Sequence, residues 1–336
     1  MKMTSHLTLD IVIPVFNEGE TLHEFHARLT EATEGLPHAF RFLYVNDGSS
    51  DNSSEVLSQL AVADARVYPI NLTRNFGHQA ALSAGLDTCN ADAVITIDGD
   101  GEHPPSLIPE MLRLFESGYD IVQTQRVDRG RGGFFLKNLT SRGFYWTINR
   151  LGETQIAKGS ADFRLMSQEA VNALRQLPEY HRFYRGMVQW IGFSSVILPF
   201  IPEERIAGES KYSLRKMIRL AADGMFSFSL APLRLGLLIG AVFLLLAGAE
   251  VVYVLSFWFR GQTSSLVPGW SSLIVIITVS SGISMLLIGI LGIYLGMIFQ
   301  EVKRRPVYLI KGRNPDSVHE TLPVAPDTPT LETPPD

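Results

Sequence analysis

Between Leu235 and Gln300 the chain carries only two charged residues, Glu250 and Arg260, although its 336 residues include 29 basic and 34 acidic ones. This gap constrains the fold more than any other feature of the sequence. Residues 235–259 and 271–299 are apolar runs, each longer than the roughly 20 residues with which an α-helix crosses a bilayer core. The first holds fifteen Leu, Ile, Val or Phe residues. At roughly −0.3 to −0.6 kcal/mol each, these outweigh one central carboxylate costing about +2.5 to +3.5 kcal/mol. Glu250 is therefore read as a protonated or interface-reaching side chain. The second run has no charge at all, so two transmembrane helices are predicted within 233–300.

Charge outside the gap gives the orientation. Lys211, Arg215, Lys216, Arg219 and Arg234 precede the pair, and Lys303, Arg304, Arg305 and Lys311 follow it, while the connecting loop offers only Arg260. Positive charge collects on the cytoplasmic side. The expectation is a multi-pass protein of the inner cell membrane with both termini cytoplasmic. Residues 211–232 place Leu214, Met217, Ile218, Ala221, Met225 and Phe228 on one helical face, which before a membrane span reads as an interfacial helix. Residues 1–210 read as a cytoplasmic globular domain and 301–336 as a cytoplasmic tail. After about 313 the tail is rich in Pro, Thr and acid and is expected to be disordered. Glycines four apart, Gly236/Gly240 and Gly292/Gly296, suit close helix approach, within the hairpin or between copies in a homo-oligomer. A net charge of −5 argues against nucleic acid as partner, and the single cysteine, Cys89, excludes an intramolecular disulfide framework. The first residues carry no secretory pattern.

The amino-terminal domain alternates short β-like runs with amphipathic helical ones. Strands are predicted at 9–15, 40–45, 67–72, 93–97 and 121–123, with helices at 21–32, 53–63 and 79–88. Such alternation implies an α/β fold with a mainly parallel sheet covered on both faces. Ligands of these sheets collect at the carboxyl ends of the strands, where the polar loops fall: Pro14-Val15-Phe16-Asn17-Glu18 after the first strand, Asp47-Gly48-Ser49-Ser50-Asp51 after the second, and Asp98-Gly99-Asp100 after the fourth. Carboxylates on alternate residues past a strand end can hold a hard divalent cation and the phosphates it bridges. The three loops can line one crevice with room for a base, a ribose and a diphosphate.

This combination resembles the family 2 glycosyltransferases of GT-A fold. Phe163-Arg164-Leu165-Met166-Ser167, Arg182-Phe183-Tyr184-Arg185-Gly186 and Ala207-Gly208-Glu209-Ser210-Lys211-Tyr212-Ser213, with the two spans, narrow it to the polyprenyl-phosphate branch. That branch includes dolichol-phosphate mannose synthase and the bacterial undecaprenyl-phosphate glucosyl- and aminoarabinosyl-transferases. The resemblance covers about residues 8–305. It implies a Rossmann-like GT-A catalytic domain before the transmembrane hairpin, a nucleotide-sugar donor, a polyprenyl-phosphate acceptor, and Mg²⁺ or Mn²⁺ as cofactor.

By the same resemblance Pro14, Phe16, Glu18 and Asp47 contact the donor nucleoside, Asp98 sits near the ribose or sugar, and Asp100 binds the metal. Glu102 stands where the family usually has Gln as a further metal contact. Arg205 and Lys211 match positions that clasp the diphosphate; interfacial anchoring is their plainer alternative. Arg126, Lys137 and Ser141 match contacts to the acceptor phosphate. Asp162 could orient the sugar or act as a base. The aromatic residues Phe134, Phe135, Phe144, Tyr145 and Trp146 serve either as core or at the bilayer surface. His78, His103 and His181, as lone loop histidines, are left out of the catalytic set.

The implied reaction is a single inverting displacement that gives a polyprenyl-phospho-sugar for cell-envelope glycan or lipid modification, with a UDP-sugar favoured and GDP-mannose the alternative. Two rivals stand beside it. A processive or soluble-acceptor glycosyltransferase usually carries Gln-x-x-Arg-Trp and more spans, and a membrane scaffold or lipid translocator has no need of acidic loops at strand ends. A nucleotide-dependent dehydrogenase is excluded because no Gly-x-Gly-x-x-Gly follows the first strand.

Overall fold

The structure, a computed structural model, describes residues 6–127, 160–180, 182–202 and 269–312, with scattered helical positions between 233 and 259. They fall into two units. The first carries β1 (Thr8–Val15), α1 (Leu22–Thr33), β2 (Ala39–Asn46), α2 (Ser53–Ala63), β3 (Val67–Asn71), α3 (His78–Thr88) and β4 (Ala93–Thr96). After a 3-10 turn at Pro105–Leu107 come α4 (Ile108–Glu116), β5 (Ile121–Arg126), β6 (Ser160–Ser167), α5 (Gln168–Arg175), α6 (Tyr184–Trp190) and β7 (Ser195–Phe200).

These strands form one seven-stranded sheet in the order β3-β2-β1-β4-β6-β5-β7. Pairings β1 with β2, β1 with β4, β2 with β3 and β5 with β7 are parallel. Only β6 runs against its neighbours β4 and β5. The expected mainly parallel sheet is thus present with one reversed strand inside it, a segment that the sequence pattern marked as a motif and not as a strand.

Both sheet faces are covered, as near-continuous apolar strands require. Leu9, Ile11, Ile13 and Val15 of β1 pack in one cluster with Phe25, Leu29, Phe42, Tyr44 and Leu57. On the other face α3 comes unusually near through small residues: a Cβ at Gly85 would lie 2.2 Å from Val12 Cγ1. Alanine at position 85 would force helix and strand apart. Because the sheet is parallel on this side, the loops after β1, β2, β3 and β4 all emerge at one edge. Reversed β6 brings its first residues to the same edge, with Arg164 opposite Thr96 on β4 and Gln123 on β5.

After β3 the chain meets a segment from far along the sequence: Leu72 forms an antiparallel bridge with Ile310. This segment, 306–312, belongs to the first unit.

The second unit contains α7 (Trp270–Lys303), 34 residues long. Its portion Val279–Lys303 is long and apolar enough to cross a membrane. The helix ends at Arg304, which takes the left-handed conformation with φ 48°. Described positions between 233 and 259 are helical, and a Cβ at Gly236 would stand 2.5 Å from Leu287 Cδ2, so α7 packs directly on that glycine. The predicted interfacial helix 211–232, Glu250 and the tail after 313 lie outside the described residues.

Candidate active site

Asp47 is the anchor of the carboxyl edge. It directly follows β2, and its carboxylate accepts the backbone N–H groups of Phe76, at 2.7 Å, and Gly77, at 2.9 Å. Burial raises its pKa, and these two donors oppose the rise. The next residue, Gly48, has φ 62°, and a Cβ there would lie 2.3 Å from the Arg74 carbonyl carbon, so only glycine lets the two loops meet. The loop after β1 is tied to the same place. Asn17 N–H donates to Ser49 Oγ at 3.0 Å, Asn17 Oδ1 accepts from Ser50 N–H at 2.8 Å, and Glu18 N–H donates to Ser53 Oγ at 3.1 Å.

Asp98, Gly99 and Asp100 come up beside this pair of loops. A Cβ at Gly99 would lie 2.8 Å from Glu18 Oε2 and 3.6 Å from the Pro14 carbonyl oxygen. The glycine therefore lets a third carboxylate rest against the backbone between the two aspartates. Such crowding of like charge needs cations nearby. His78 Nε2 donates to Asp98 Oδ1 at 2.7 Å, and His103 Nδ1 is 3.5 Å from Oδ2. Burial pulls the His78 pKa down, but the charge and hydrogen bond of Asp98 reverse this and lift it to about 9. The Gln79 amide nitrogen lies 3.2 Å from Nδ1 on the other side of the ring. Asp98 itself, penalised by burial, is held well below the usual carboxylate range by His78 first and then by His103 and Arg185.

Asp100 Oδ1 accepts Glu102 N–H at 3.0 Å, and the Glu102 carboxylate pairs with Arg126 from the end of β5. On β6, Asp162 Oδ1 accepts from Arg164 Nη2 at 2.6 Å and Oδ2 from Arg185 Nη2 at 2.8 Å. Burial would raise its pKa, but the guanidiniums of Arg185 and Arg164 outweigh that and hold the group ionised. Arg185 is presented by α6, whose Tyr184 N–H donates to Gln79 Oε1 at 3.1 Å.

The structure thus brings Pro14, Glu18, Asp47, Asp98, Asp100, Glu102, Arg126 and Asp162 to one edge, together with Phe16, whose ring is exposed. Lys137, Ser141, Arg205, Lys211 and the aromatic residues 134–146 lie outside the described residues. His78, His103 and Arg185, which sequence reasoning passed over, are direct partners of the acidic groups. The signal for His78 was present: it opens α3 directly after the loop that follows β3, at the same sheet edge as the other three loops.

Among the described residues, no three His, Cys, Asp or Glu side chains converge as a metal cluster. Asp100 and Glu102 are oxygen donors of the type that a hard cation such as Mg²⁺ or Mn²⁺ takes, one or two carboxylates per ion with phosphate oxygens and water in its other positions, and the Glu102 carboxylate is paired with Arg126.

With the mainly parallel α/β sheet and the acidic loops at its carboxyl edge in place, residues 10–175 match glycosyl transferase family 2. The chain belongs to that family and is a glycosyltransferase. It is 38% identical over 310 residues to the uncharacterized glycosyltransferase YkcC of Bacillus subtilis (strain 168), covering 92% of this chain and 95% of that protein. Over 308 residues it is 38% identical to the bactoprenol glucosyl transferase of Shigella phage SfII, covering 91% of this chain and 98% of that protein. The putative glycosyltransferase CsbB of Bacillus subtilis (strain 168) is 36% identical over 307 residues, 91% of this chain and 92% of CsbB.

Proposed function

We propose that the protein transfers a sugar from a nucleotide-sugar, a UDP-sugar ahead of GDP-mannose, to a polyprenyl phosphate at the cytoplasmic face of the membrane. The observation that carries the reading is the edge where Glu18, Asp98 and Asp100 meet within reach of His78, Arg126 and Arg185. A negative platform there suits a cation-bridged diphosphate, and guanidinium groups beside it suit a second anion. The near full-length likeness to a bactoprenol glucosyl transferase supports the lipid acceptor.

An acceptor phosphate oxygen attacks the anomeric carbon, and the bond from that carbon to the donor diphosphate breaks with its electron pair leaving on the diphosphate. A phosphate monoester is largely dianionic near neutral pH, its second pKa being about 6, so the nucleophile needs little deprotonation. Asp162, held ionised by two guanidiniums, is a weak base, and its role is to orient the sugar. Phe16, Pro14, Glu18 and Asp47 form the nucleoside side, Asp98 with His78 the ribose or sugar side, and Arg205 and Lys211 the diphosphate clasp. Arg126, Lys137 and Ser141 receive the lipid phosphate. A bound divalent cation on Asp100 and Glu102 supplies charge neutralisation for the departing diphosphate. The hairpin of 235–259 and 271–299, supported by the contact of Gly236 with Leu287, keeps the domain at the lipid surface.

The test is a panel of labelled UDP- and GDP-sugars with undecaprenyl phosphate, followed by chloroform–methanol extraction and mass spectrometry. Label in the organic phase as a prenyl-phospho-sugar is expected with a UDP-sugar. Label confined to the aqueous phase would refute the lipid acceptor.

A further inference from the structure

The segment 306–312 begins three residues after α7 ends at Lys303, and it lies on the edge strand of the sheet. Thr73 N–H donates to the Leu309 carbonyl at 2.9 Å and Lys311 N–H donates to the Asn71 carbonyl at 2.7 Å. Tyr308 is buried, and its hydroxyl donates to Asp87 Oδ2 at 2.9 Å. Its neighbours Leu309 and Lys311 are exposed and Ile310 is half-buried, so the segment adds little to the core. What it adds is a set of directed bonds, and their positions are informative.

The stretch 72–87 is held at both ends by this segment and contains the loop and helix that shape one wall of the site. Three residues after Thr73, Phe76 N–H and Gly77 N–H hold the Asp47 carboxylate, and His78 next to them holds Asp98. At the far end of α3, Asp87 is 3.5 Å from Arg182 Nη1, and the same nitrogen donates to Tyr184 Oη at 3.2 Å. The Tyr184 hydroxyl in turn donates to Ser83 Oγ at 3.0 Å, and the following residue, Arg185, reaches Asp162.

We infer that residues 306–312 form a positioning strap that fixes the donor side of the site, acting through Tyr308 and the pairing with 71–73 on the 73–77 loop and the start of α3. The strap makes no contact with the reacting atoms; it sets where Asp47 and His78 stand. Its role rests on the proposed transfer reaction only for the kinetic part of the test.

The experiment uses the full-length protein in nanodiscs, with Tyr308→Phe and Lys311→Pro as variants. Tyr308→Phe removes one hydroxyl and keeps the buried ring, so it leaves folding intact. Amide exchange at Phe76 and Gly77 is expected to quicken about tenfold, the loss of one hydrogen bond to a charged group appearing in local opening. With a UDP-sugar and undecaprenyl phosphate, KM for the donor is expected to rise about fivefold or more while KM for the acceptor stays put, the split expected of lost donor positioning. Wild-type exchange at Phe76 and Gly77 in both variants, or quickened exchange with an unchanged donor KM, overturns the strap. A wild-type protein that makes no lipid product overturns the acceptor assignment instead, and the exchange rates alone then decide on the strap.

Discussion

The sheet buries charge at both of its ends, and the two ends differ in a way that separates structure from function. At the amino end, Asp10 of β1 and Arg41 of β2 are 0% and 3% exposed. Arg41 donates to both carboxylate oxygens at 2.7 Å, and Asn90 N–H donates to Oδ2 at 2.9 Å. Every group that this carboxylate faces belongs to the protein. At the carboxyl end Asp162 is just as hidden, but the side chain of its partner Arg185 is 31% exposed. Asp98 and His78 have side chains 27% and 42% exposed. A sealed pair has nothing left to offer, whereas a pair with one member at the surface can exchange a protein partner for a ligand group. Between these two ends, buried charge by itself does not tell the site apart, whereas buried charge with an accessible partner does.

The sharpest test of this contrast is Asp100→Ala, expected to lower sugar transfer about 100-fold or more with the thermal midpoint near wild type. Undiminished turnover would mean that the open end is not where chemistry happens. Next come the two buried carboxylates, one in the sealed pair and one in the open pair. Asp10→Asn is expected to destabilise the fold by about 3–5 kcal/mol in denaturant melts, as breaking a buried pair does, with kcat of the folded fraction unchanged. Asp162→Asn should cost both stability and kcat, and if both substitutions behaved alike the distinction would fail. Arg126→Gln should raise the acceptor KM about tenfold, through loss of a charge-assisted contact, and leave the donor KM alone.

The smallest effect is a pH dependence. His78 is lifted to about 9 in the fold, so its bond to Asp98 contributes fully below about pH 6.5, the ordinary histidine value, and fades as pH climbs through about 9. Across that window the thermal midpoint of the wild type should fall relative to His78→Gln. Parallel curves would show that the two side chains are not paired in solution.

The parts of this molecule that the sequence disclosed are those governed by local pattern. The strand and helix from Leu9 to Thr96 fall within a residue or so of their expected ends, because apolar periodicity and turn residues decide them. β6 escaped notice because Asp162 and Arg164 interrupt its apolar run; their mutual pairing, invisible in one dimension, is what makes burial tolerable. His78 was dismissed as a lone histidine because its partner lies twenty positions further on. Arg185 likewise acquires meaning only when α6 docks beside β6 and meets Asp162. Acidic loops at strand ends could be read directly, whereas the cations that balance them could not.

The reversal of β6 has a consequence for how such enzymes diversify. Since β5 finishes, and β6 starts, at the rim where the acidic loops gather, any stretch of chain spliced between them leaves and re-enters beside the chemistry. Lengthening or rewriting it does not shift a single ladder rung. Evolution could therefore alter the recipient of the sugar like changing the tool in a chuck, with the grip left as it was.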